Sequence, residues 1–331
     1  MIEILDPGIF STIQDLGRWG YQKYGVSVSG VMDEVSARLA NMLVGNDENA
    51  AVIEFYMKGP KIKFHTVTYF VVGGDVIIRL NNKEITPWTR YKARTGDVLT
   101  MEFLRSGAYG YIAFSGGIYI EPILGSRSTY LRAKIGKKLE TGDKIPIGTD
   151  YKIPIVESLP ESLRPKYSNQ VEVRVILGPN EDHFTENGIK TFLSSWYTLT
   201  SESDRMGYRL EGPKIEHSKL GPDIITDAVP LGSIQVPGNG LPIIMLADRQ
   251  TTGGYAKIGV VIRVDIPKVA QLRPGGKIKF KQVSVDEAHE LLLKRERILS
   301  LIKKMIYGKA IYTKIKVKKK DFKIFVEEIK D

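Results

Sequence analysis

Cysteine is absent from the 331 residues, and histidine occurs only four times. The absence of cysteine excludes disulfides, thiolate zinc sites and a cysteine nucleophile. The histidines, at positions 65, 183, 217 and 289, lie tens of residues apart and show no spacing typical of metal ligands. We therefore predict no metal site and no catalytic histidine.

Long apolar runs are also missing. No stretch of 18 or more apolar residues occurs, and the first residues, MIEILDPGIF, lack the basic and apolar regions of a signal peptide. The expected protein is cytoplasmic and makes no membrane contact. With 42% hydrophobic residues, the chain is long enough for two domains, each with its own core.

The formal net charge of +10 is concentrated at the end of the chain. Residues 281–331 contain 14 Lys or Arg against 8 Asp or Glu. No RNA-recognition or helix-turn-helix pattern with interleaved aromatic residues occurs, so we predict no nucleic-acid partner. A Lys-protected sheet edge explains the charge better than partner docking or a membrane-surface role.

Most of the sequence consists of short β-rich segments separated by Gly and Pro, and three helices are predicted. The first follows Asp33, which is placed to cap it, and stops at Gly45. The second begins near Glu181 and continues to about Leu193. The third is amphipathic and starts at Asp286, and alternation in the segment AIYTKIKVKKKDFKIFVEEI predicts a hairpin after it.

An internal repeat indicates a duplicated domain. Three matches occur in the same order: FYMKGPKIKF with GYRLEGPKIEH, RSGAYGYIAFSGGI with RQTTGGYAKIGVVI, and LETGDKIPIG with LRPGGKIKF. We predict a mainly β fold of tandem barrel domains, because many short strands must hide their edges. The expected boundaries are 1–160 and 161–284, followed by a basic helix–hairpin extension, 285–331.

Residues 11–33 form the first of three polar, glycine-rich segments that are candidates for a site. It contains Gln14, and the candidate residues are Asp15, Arg18, Ser29 and Gly30. A helix start beside serine and glycine offers free backbone amides to a carboxylate or phosphate. Simple capping of the helix explains the pattern equally well.

Residues 115–130 form the second segment, with Ser126, Arg127, Ser128 and Tyr130 directly after a glycine. A guanidinium flanked by two hydroxyls suits bidentate recognition of a carboxylate or phosphate. The alternative is a buried arginine that ties loops together.

The third segment has two parts, residues 201–212 and 230–259, and it is the strongest candidate on chemistry alone. Its polar series would not be tolerated in a core strand unless it lined a site. Neither part matches a nucleotide-binding motif. The candidate residues are Asp204, Arg205, Gln235, Asp248, Arg249, Gln250, Thr251, Thr252, Gly253, Gly254 and Tyr255.

Five blocks together resemble the biotin-dependent carboxyltransferase subdomain C/D family, which includes allophanate hydrolase subunit 2 and KipA-like proteins. The blocks are TIQDLGRWGYQKYGVSVSGVMD, ANMLVGN, GGIYIEPILGSRSTY, SDRMGYRLEG and QVPGNGLPIIMLADRQTTGGY. The resemblance covers residues 1 to about 280 and implies two cyclophilin-like β-barrel domains.

Stand-alone members of that family resemble the C component of 5-oxoprolinase. The resemblance implies a hydrolase that opens 5-oxo-L-proline to L-glutamate with ATP, and with Mg, together with the A component and the KipI-like B component of that enzyme. A carboxyltransferase component acting on urea or another amide, and a KipA-like regulatory binding protein, are the alternatives. No biotin-attachment sequence is present, since the only Met-Lys is Met57-Lys58. A homo-oligomer is compatible with the sequence.

The same resemblance suggests roles for the candidate residues. Arg127, Arg205 and Arg249 would clamp phosphate or a substrate carboxylate, and the hydroxyls of Ser126 and Ser128 would bind the carbonyl. The predicted catalytic set is Asp15, Asp248, Arg249 and Gln250.

Overall fold

Nine strands in the N-terminal half form one sheet. The computed structural model describes residues 1–148, 153–317 and 320–327. The sheet contains β1 (Ile2–Asp6), β2 (Phe10–Gln14), β3 (Val52–Tyr56), β4 (Lys61–Phe64), β5 (Thr68–Leu80), β6 (Lys83–Ile85), β7 (Tyr91–Ala93), β8 (Val98–Phe114) and β9 (Lys144–Ile145).

The long strand β8 organises this sheet, because it pairs antiparallel with β3, β4 and β5 along different parts of its length. The sheet curves into a half-barrel whose interior is filled by fully buried Phe55, Phe64, Phe70 and Phe114. The rings of Phe64 and Phe70 lie 5.3 Å apart between centroids. Burial of these large apolar side chains is the main stabilising contribution of this half.

Helix α1 (Glu34–Val44) lies between β2 and β3 and packs on β5 and β8. The Asp33 carboxylate accepts hydrogen bonds from the backbone N–H groups of Val35 and Ser36, both at 3.1 Å. Gly45, at φ 83°, ends the helix in the left-handed conformation. The predicted helix and both of its caps are confirmed.

Seven strands of the C-terminal half close into a barrel in the order β10-β17-β14-β15-β12-β11-β18. Strands β13 and β16 pair only with each other in the described residues. The predicted mainly β fold is confirmed. The strands are β10 (Gln170–Leu177), β11 (Tyr197–Leu199), β12 (Gly207–Glu211), β13 (Asp223–Ala228), β14 (Ser233–Gln235), β15 (Ile243–Met245), β16 (Thr252–Tyr255), β17 (Lys257–Val261) and β18 (Lys277–Gln282).

The second predicted helix starts later than expected. A short 3-10 turn covers Glu181–His183, Phe184 is extended and buried, and helix α2 (Glu186–Ser194) begins only after Thr185. The Thr185 hydroxyl caps it by accepting a hydrogen bond from the N–H of Gly188 at 2.9 Å. The predicted start at Glu181 is wrong because Phe184 turns into the core before the helix begins.

The repeated segments lie in both sheets, although their strand pairing differs. The first match places β3 and β12 directly before the two Gly-Pro-Lys-Ile sequences. The third match places β9 antiparallel to β1, whereas β18 runs parallel to β10. The two halves have therefore diverged in how their last strands return to the sheet.

Helix α4 (Val285–Ile306) of the C-terminal extension contacts both halves. It follows a short helix α3 (Ile266–Ala270), is capped by Ser284 and buries Leu299, Ile302 and Ile306. The Arg38 guanidinium of α1 donates to both carboxylate oxygens of Glu296, at 3.0 and 2.8 Å. The extension is thus a fixed part of the protein.

Glu296→Gln is expected to lower the free energy of unfolding by about 1 kcal/mol, because the Arg38 pair is bidentate and half-buried. The loss should shrink in 1 M salt, which screens partly exposed charges. Urea unfolding at two salt concentrations measures both effects. Glu161→Gln is the matched control, since Glu161 is exposed and meets Lys166 at 3.5 Å; equal losses in the two variants would contradict the prediction.

The chain ends in a hairpin of β19 (Ala310–Val317) and β20 (Lys320–Glu327), as predicted. The two turn residues, Lys318 and Lys319, lie outside the described residues. None of the helices in the described part of the chain is both long and apolar enough to cross a membrane.

Candidate active site

The loop after β2 is tied to the predicted second segment by Asp15, which is buried. Its carboxylate accepts hydrogen bonds from the hydroxyls of Ser126 at 2.7 Å and Ser128 at 2.5 Å. It also accepts from the backbone N–H groups of Gly17 at 2.9 Å and Arg127 at 2.7 Å. The structure thus brings Asp15 and both serines together. The hydrogens of both serine hydroxyls are used in the hydrogen bonds to Asp15.

Arg18 joins the same two loops from inside the protein. Its side chain is 1% exposed, and it donates to the carbonyl oxygens of Ile123 at 2.9 Å and Ser128 at 2.8 Å. The Arg127 side chain instead donates to the Ile120 carbonyl at 2.7 Å and lines a separate cavity of about 540 Å³. The loop-tying role that was the alternative for Arg127 is thus filled by Arg18.

A buried ion-pair cluster joins the two halves. Arg205, in the turn between β11 and β12, donates to Glu54 on β3, to Asp248 after β15 at 2.9 Å, and to the Gly30 carbonyl. Burial disfavours the charge of Arg205, but the charges of Asp248 and Glu54 outweigh it and raise the Arg205 pKa. Burial raises the pKa of Glu54. All three nitrogens of this guanidinium donate to protein acceptors.

Gly30 is required beside this cluster. Its φ of 93° is left-handed, and a Cβ there would lie 3.0 Å from the backbone nitrogen of Gly17. Ser29, its neighbour, is also left-handed at φ 57°. This backbone turn presents the Gly30 carbonyl to Arg205 and the Ser29 hydroxyl to Asp248.

Ser29 joins the cluster through its hydroxyl group. The Ser29 hydroxyl oxygen lies 2.8 Å from the Thr129 carbonyl oxygen and 2.5 Å from Asp248 Oδ1. The single hydrogen of this hydroxyl is shared between the two acceptors. Tyr130 lies near this carboxyl, and burial together with the Asp248 charge raises its pKa.

A cavity of about 460 Å³, which we call the junction cavity, opens between the two halves beside the cluster. Arg205, Asp248 and Gln14 line it, together with exposed Asp204. Gln14 donates to the Thr129 carbonyl at 3.1 Å, and its buried Oε1 has no partner in the described residues. Asp204 accepts from the N–H of Met206 at 2.8 Å, which shapes the turn.

Asp248 and Arg249 are adjacent but lie in different cavities. Arg249 lines a second cavity of about 390 Å³, the arginine cavity, with Gln250, Thr251 and Arg263. The three arginines of the predicted clamp thus line three separate cavities, because Arg127 and Arg205 lie in the other two. The structure does not assemble a single clamp.

The remaining predicted residues lie in strand β16 or beside it. Thr252, Gly253, Gly254 and the half-exposed Tyr255 make up β16, which pairs with β13. Gln250 donates to the Gln235 side-chain oxygen at 3.1 Å. A Cβ on Gly253 would lie 2.7 Å from Gln235 Nε2, so the glycine leaves space for this amide pair.

Two important residues were absent from the sequence prediction. Glu54 is a charged residue in the middle of the apolar strand VIEFY, and this contrast was a usable signal. Arg263 was not signalled by any motif; it pairs with Glu34 at 2.7 Å and lies 6.0 Å from the Trp19 ring centroid.

Three of the histidines have ordinary polar contacts. His65 meets Glu3 at 2.6 Å, and His183 and His217 contact backbone carbonyl oxygens. No group of three or more potential metal ligands occurs among the described residues.

The architecture and these loops define a member of a known class. The profile described as "Carboxyltransferase domain, subdomain A and B" matches residues 24–282. The chain therefore belongs to this family. The matching profile has the subdomain letters A and B, where the resemblance had indicated C and D.

Among individual proteins, the chain is similar to the C component of 5-oxoprolinase from Haemophilus influenzae, with 37% identity over 312 residues, covering 92% of this chain and 99% of the relative. The corresponding C component of the Escherichia coli 5-oxoprolinase is 34% identical, covering 87% and 93%. The crystal structure of Kluyveromyces lactis urea amidolyase superposes with a TM-score of 0.85 at 31% identity. That match covers 90% of this chain but only 20% of the urea amidolyase.

Proposed function

We propose that this chain is the C component of a cytoplasmic, ATP-dependent 5-oxoprolinase, a hydrolase that acts on a cyclic amide together with the A and B components. The observation that carries the proposal is the coverage of the match. The chain aligns with 99% of the length of a 5-oxoprolinase C component, without additional domains in the relative. The name of that relative, which makes it one of several subunits, supports a role within a multi-subunit enzyme.

The buried cluster supports a role in positioning. Arg205 and Ser29 hold Asp248 from two sides, so the next residue, Arg249, has a fixed place on the opposite face of the turn. Rigid support of this kind is what precise substrate orientation requires. The chain's own contribution is therefore to bind and orient the amide.

ATP with Mg would supply the activation of the stable lactam carbonyl, but the buried residues of this chain do not suit a triphosphate. Arg205 is already paired with two carboxylates, and Arg263 is paired with Glu34. Arg249 alone in the arginine cavity would oppose several phosphate charges. We propose that a partner protein contributes most of the nucleotide site.

Reconstitution tests the function. The chain is co-expressed with candidate A and B components, and ATP-dependent release of glutamate from 5-oxoproline is measured. We expect turnover only when all three proteins are present. Absence of turnover in the complete, correctly assembled complex would refute the 5-oxoprolinase proposal.

A carboxyltransferase component acting on urea or another amide is the second candidate, because the urea amidolyase structure superposes closely on this chain. This reaction would need a separate biotin carrier. Bicarbonate- and biotin-dependent consumption of urea by the chain with such a carrier, in the absence of 5-oxoproline turnover, would favour it.

A further inference from the structure

The arginine cavity contains a buried cation without a counter-ion. Arg249 is 7% exposed and donates to the carbonyl oxygens of Val229 at 2.9 Å and Leu246 at 3.3 Å. A guanidinium has five N–H groups. Three of them remain without a partner in the described residues, and Arg249 forms no ion pair there.

Other buried arginines differ from Arg249 in their charged neighbours. Arg18 and Arg90 are also held by backbone carbonyls, but Arg18 lies near Asp15 and Asp248, and Arg90 lies near Glu157. Burial and the positive charge of Arg263 lower the Arg249 pKa to about 10. A buried charge is costly when it is unpaired, so this environment favours an added anion.

The anion should carry one charge. Arg263, the other cation of the cavity, already donates to Glu34 at 2.7 Å, a carboxylate that it shares with Arg295. Arg249 can thus balance a carboxylate, whereas a phosphate with close to two charges would remain partly unpaired. The planar guanidinium also matches the two oxygens of a carboxylate.

A second polar group lies on the cavity wall. Gln250 donates to Gln235, which leaves its own buried Oε1 without a partner in the described part of the chain. If both amides rotated by 180°, the open position of Gln250 would become a donor. This open position of the Gln250 side chain therefore either accepts a hydrogen bond from an N–H group or donates one to a C=O group. An amide ligand offers both groups.

Apolar side chains form most of the remaining wall, and they suit a small carbon skeleton. They are Trp19, Val28, Val229, Pro230, Leu231 and Ile266, and the polar residues Gln22, Ser27 and Thr251 complete the lining.

We propose that the arginine cavity binds a small organic monocarboxylate that also carries an amide group, with Arg249 on the carboxylate and Gln250 on the amide. The site is defined by these contacts alone. Identifying 5-oxoproline as the natural ligand rests on the proposed function, since this molecule combines one carboxylate, one lactam and a small apolar ring.

Calorimetric titration of the full chain tests the site, with 5-oxoproline, cyclopentanecarboxylate and 2-pyrrolidinone as probes. We expect both acids to bind, 5-oxoproline the more tightly because it also meets Gln250. Arg249→Met should weaken binding of both acids by about 100-fold, through loss of two charge-assisted hydrogen bonds, and leave 2-pyrrolidinone unchanged. Arg249→Lys keeps the charge without the bidentate geometry and should lose about 10-fold.

Thermal unfolding separates binding from a structural role. Because folding disfavours the Arg249 charge, the Arg249→Met variant should keep or raise its Tm, whereas an arginine that holds the fold together would show a lower Tm. Acid binding that is undiminished in both Arg249 variants, or tighter binding of inorganic phosphate than of the acids, would overturn the proposal. So would absence of acid binding both by the chain alone and with the A and B components.

The titration tests the binding site and the turnover assay tests the 5-oxoprolinase function, so each proposal can be refuted without the other. Arg249-dependent binding of cyclopentanecarboxylate without any glutamate release would support the site and refute the 5-oxoprolinase function. Glutamate release that persists in the Arg249 variants would support the function and refute the site.

Discussion

Arg205→Met is expected to lower the free energy of unfolding by about 3–5 kcal/mol at neutral pH, the usual cost of removing one partner of a buried ion pair. The substitution keeps the apolar length of the side chain but leaves Glu54 and Asp248 buried without their shared cation. It also removes the donor to the Gly30 carbonyl. Urea unfolding of the full chain measures the loss.

The loss should depend on pH in a defined direction. Burial already raises the Glu54 pKa above its ordinary value of 4.5, and loss of the Arg205 charge should raise it further. A carboxyl with a raised pKa binds its proton more tightly in the folded state, so stability rises as pH falls toward the ordinary value. The deficit of Arg205→Met should therefore be smaller at pH 5 than at pH 8.

A double variant provides the test of mechanism. Glu54→Gln combined with Arg205→Met removes one of the stranded charges, and we expect it to be more stable than Arg205→Met alone. Arg105→Met is the matched control, because Arg105 is exposed and meets Asp75 at 3.3 Å; its loss should be a small fraction of the Arg205 loss. If the double variant is no more stable than Arg205→Met alone, the unpaired buried charge is not the cause of the lost stability.

Asp15→Asn is expected to destabilise the protein by about 3 kcal/mol. The Asp15 carboxylate accepts four hydrogen bonds, two from serine hydroxyls and two from backbone N–H groups. An asparagine amide places a donor against one of these donors, which is the Arg127 N–H when the oxygen keeps its place near Ser126. Denaturant unfolding gives the size of the effect.

Asp75→Asn is the matched control for Asp15→Asn. Asp75 is half-exposed and accepts from the Ser106 hydroxyl at 2.9 Å, so water can replace the lost contact. We expect little change in this control. Equal stabilities of the two variants would mean that the hydrogen bonds of Asp15 do not hold the loops together.

Local sequence signals predicted the elements that local physics controls. Helix α1 has the Asp33 cap and Gly45 stop expected from the sequence, and helix α4 starts within one residue of its predicted start. The failure at Glu181 is also informative, because a buried contact of Phe184 delays the helix. Tertiary packing changed an element boundary that propensity alone could not place.

For the candidate site, too, the sequence indicated residues but could not show their contacts. The sequence brought attention to Asp15, Ser126, Ser128 and Asp248, and all of them take part in networks that join distant loops. It could not show that Asp15 uses both serine hydroxyls. Hydrogen-bond partners more than one hundred positions apart depend on how the loops meet, which spacing along the chain does not encode.

The absence of cysteine, the helix caps, the repeat and the polar segments were properties that the sequence determined by itself, because composition and short-range pattern fix them. Only the tertiary structure decided that Arg205 is neutralised by Glu54 and Asp248 while Arg249 stays unpaired in its own cavity. The physical reason is that the free energy of a charge depends on its neighbours in space and on its burial, and folding sets both.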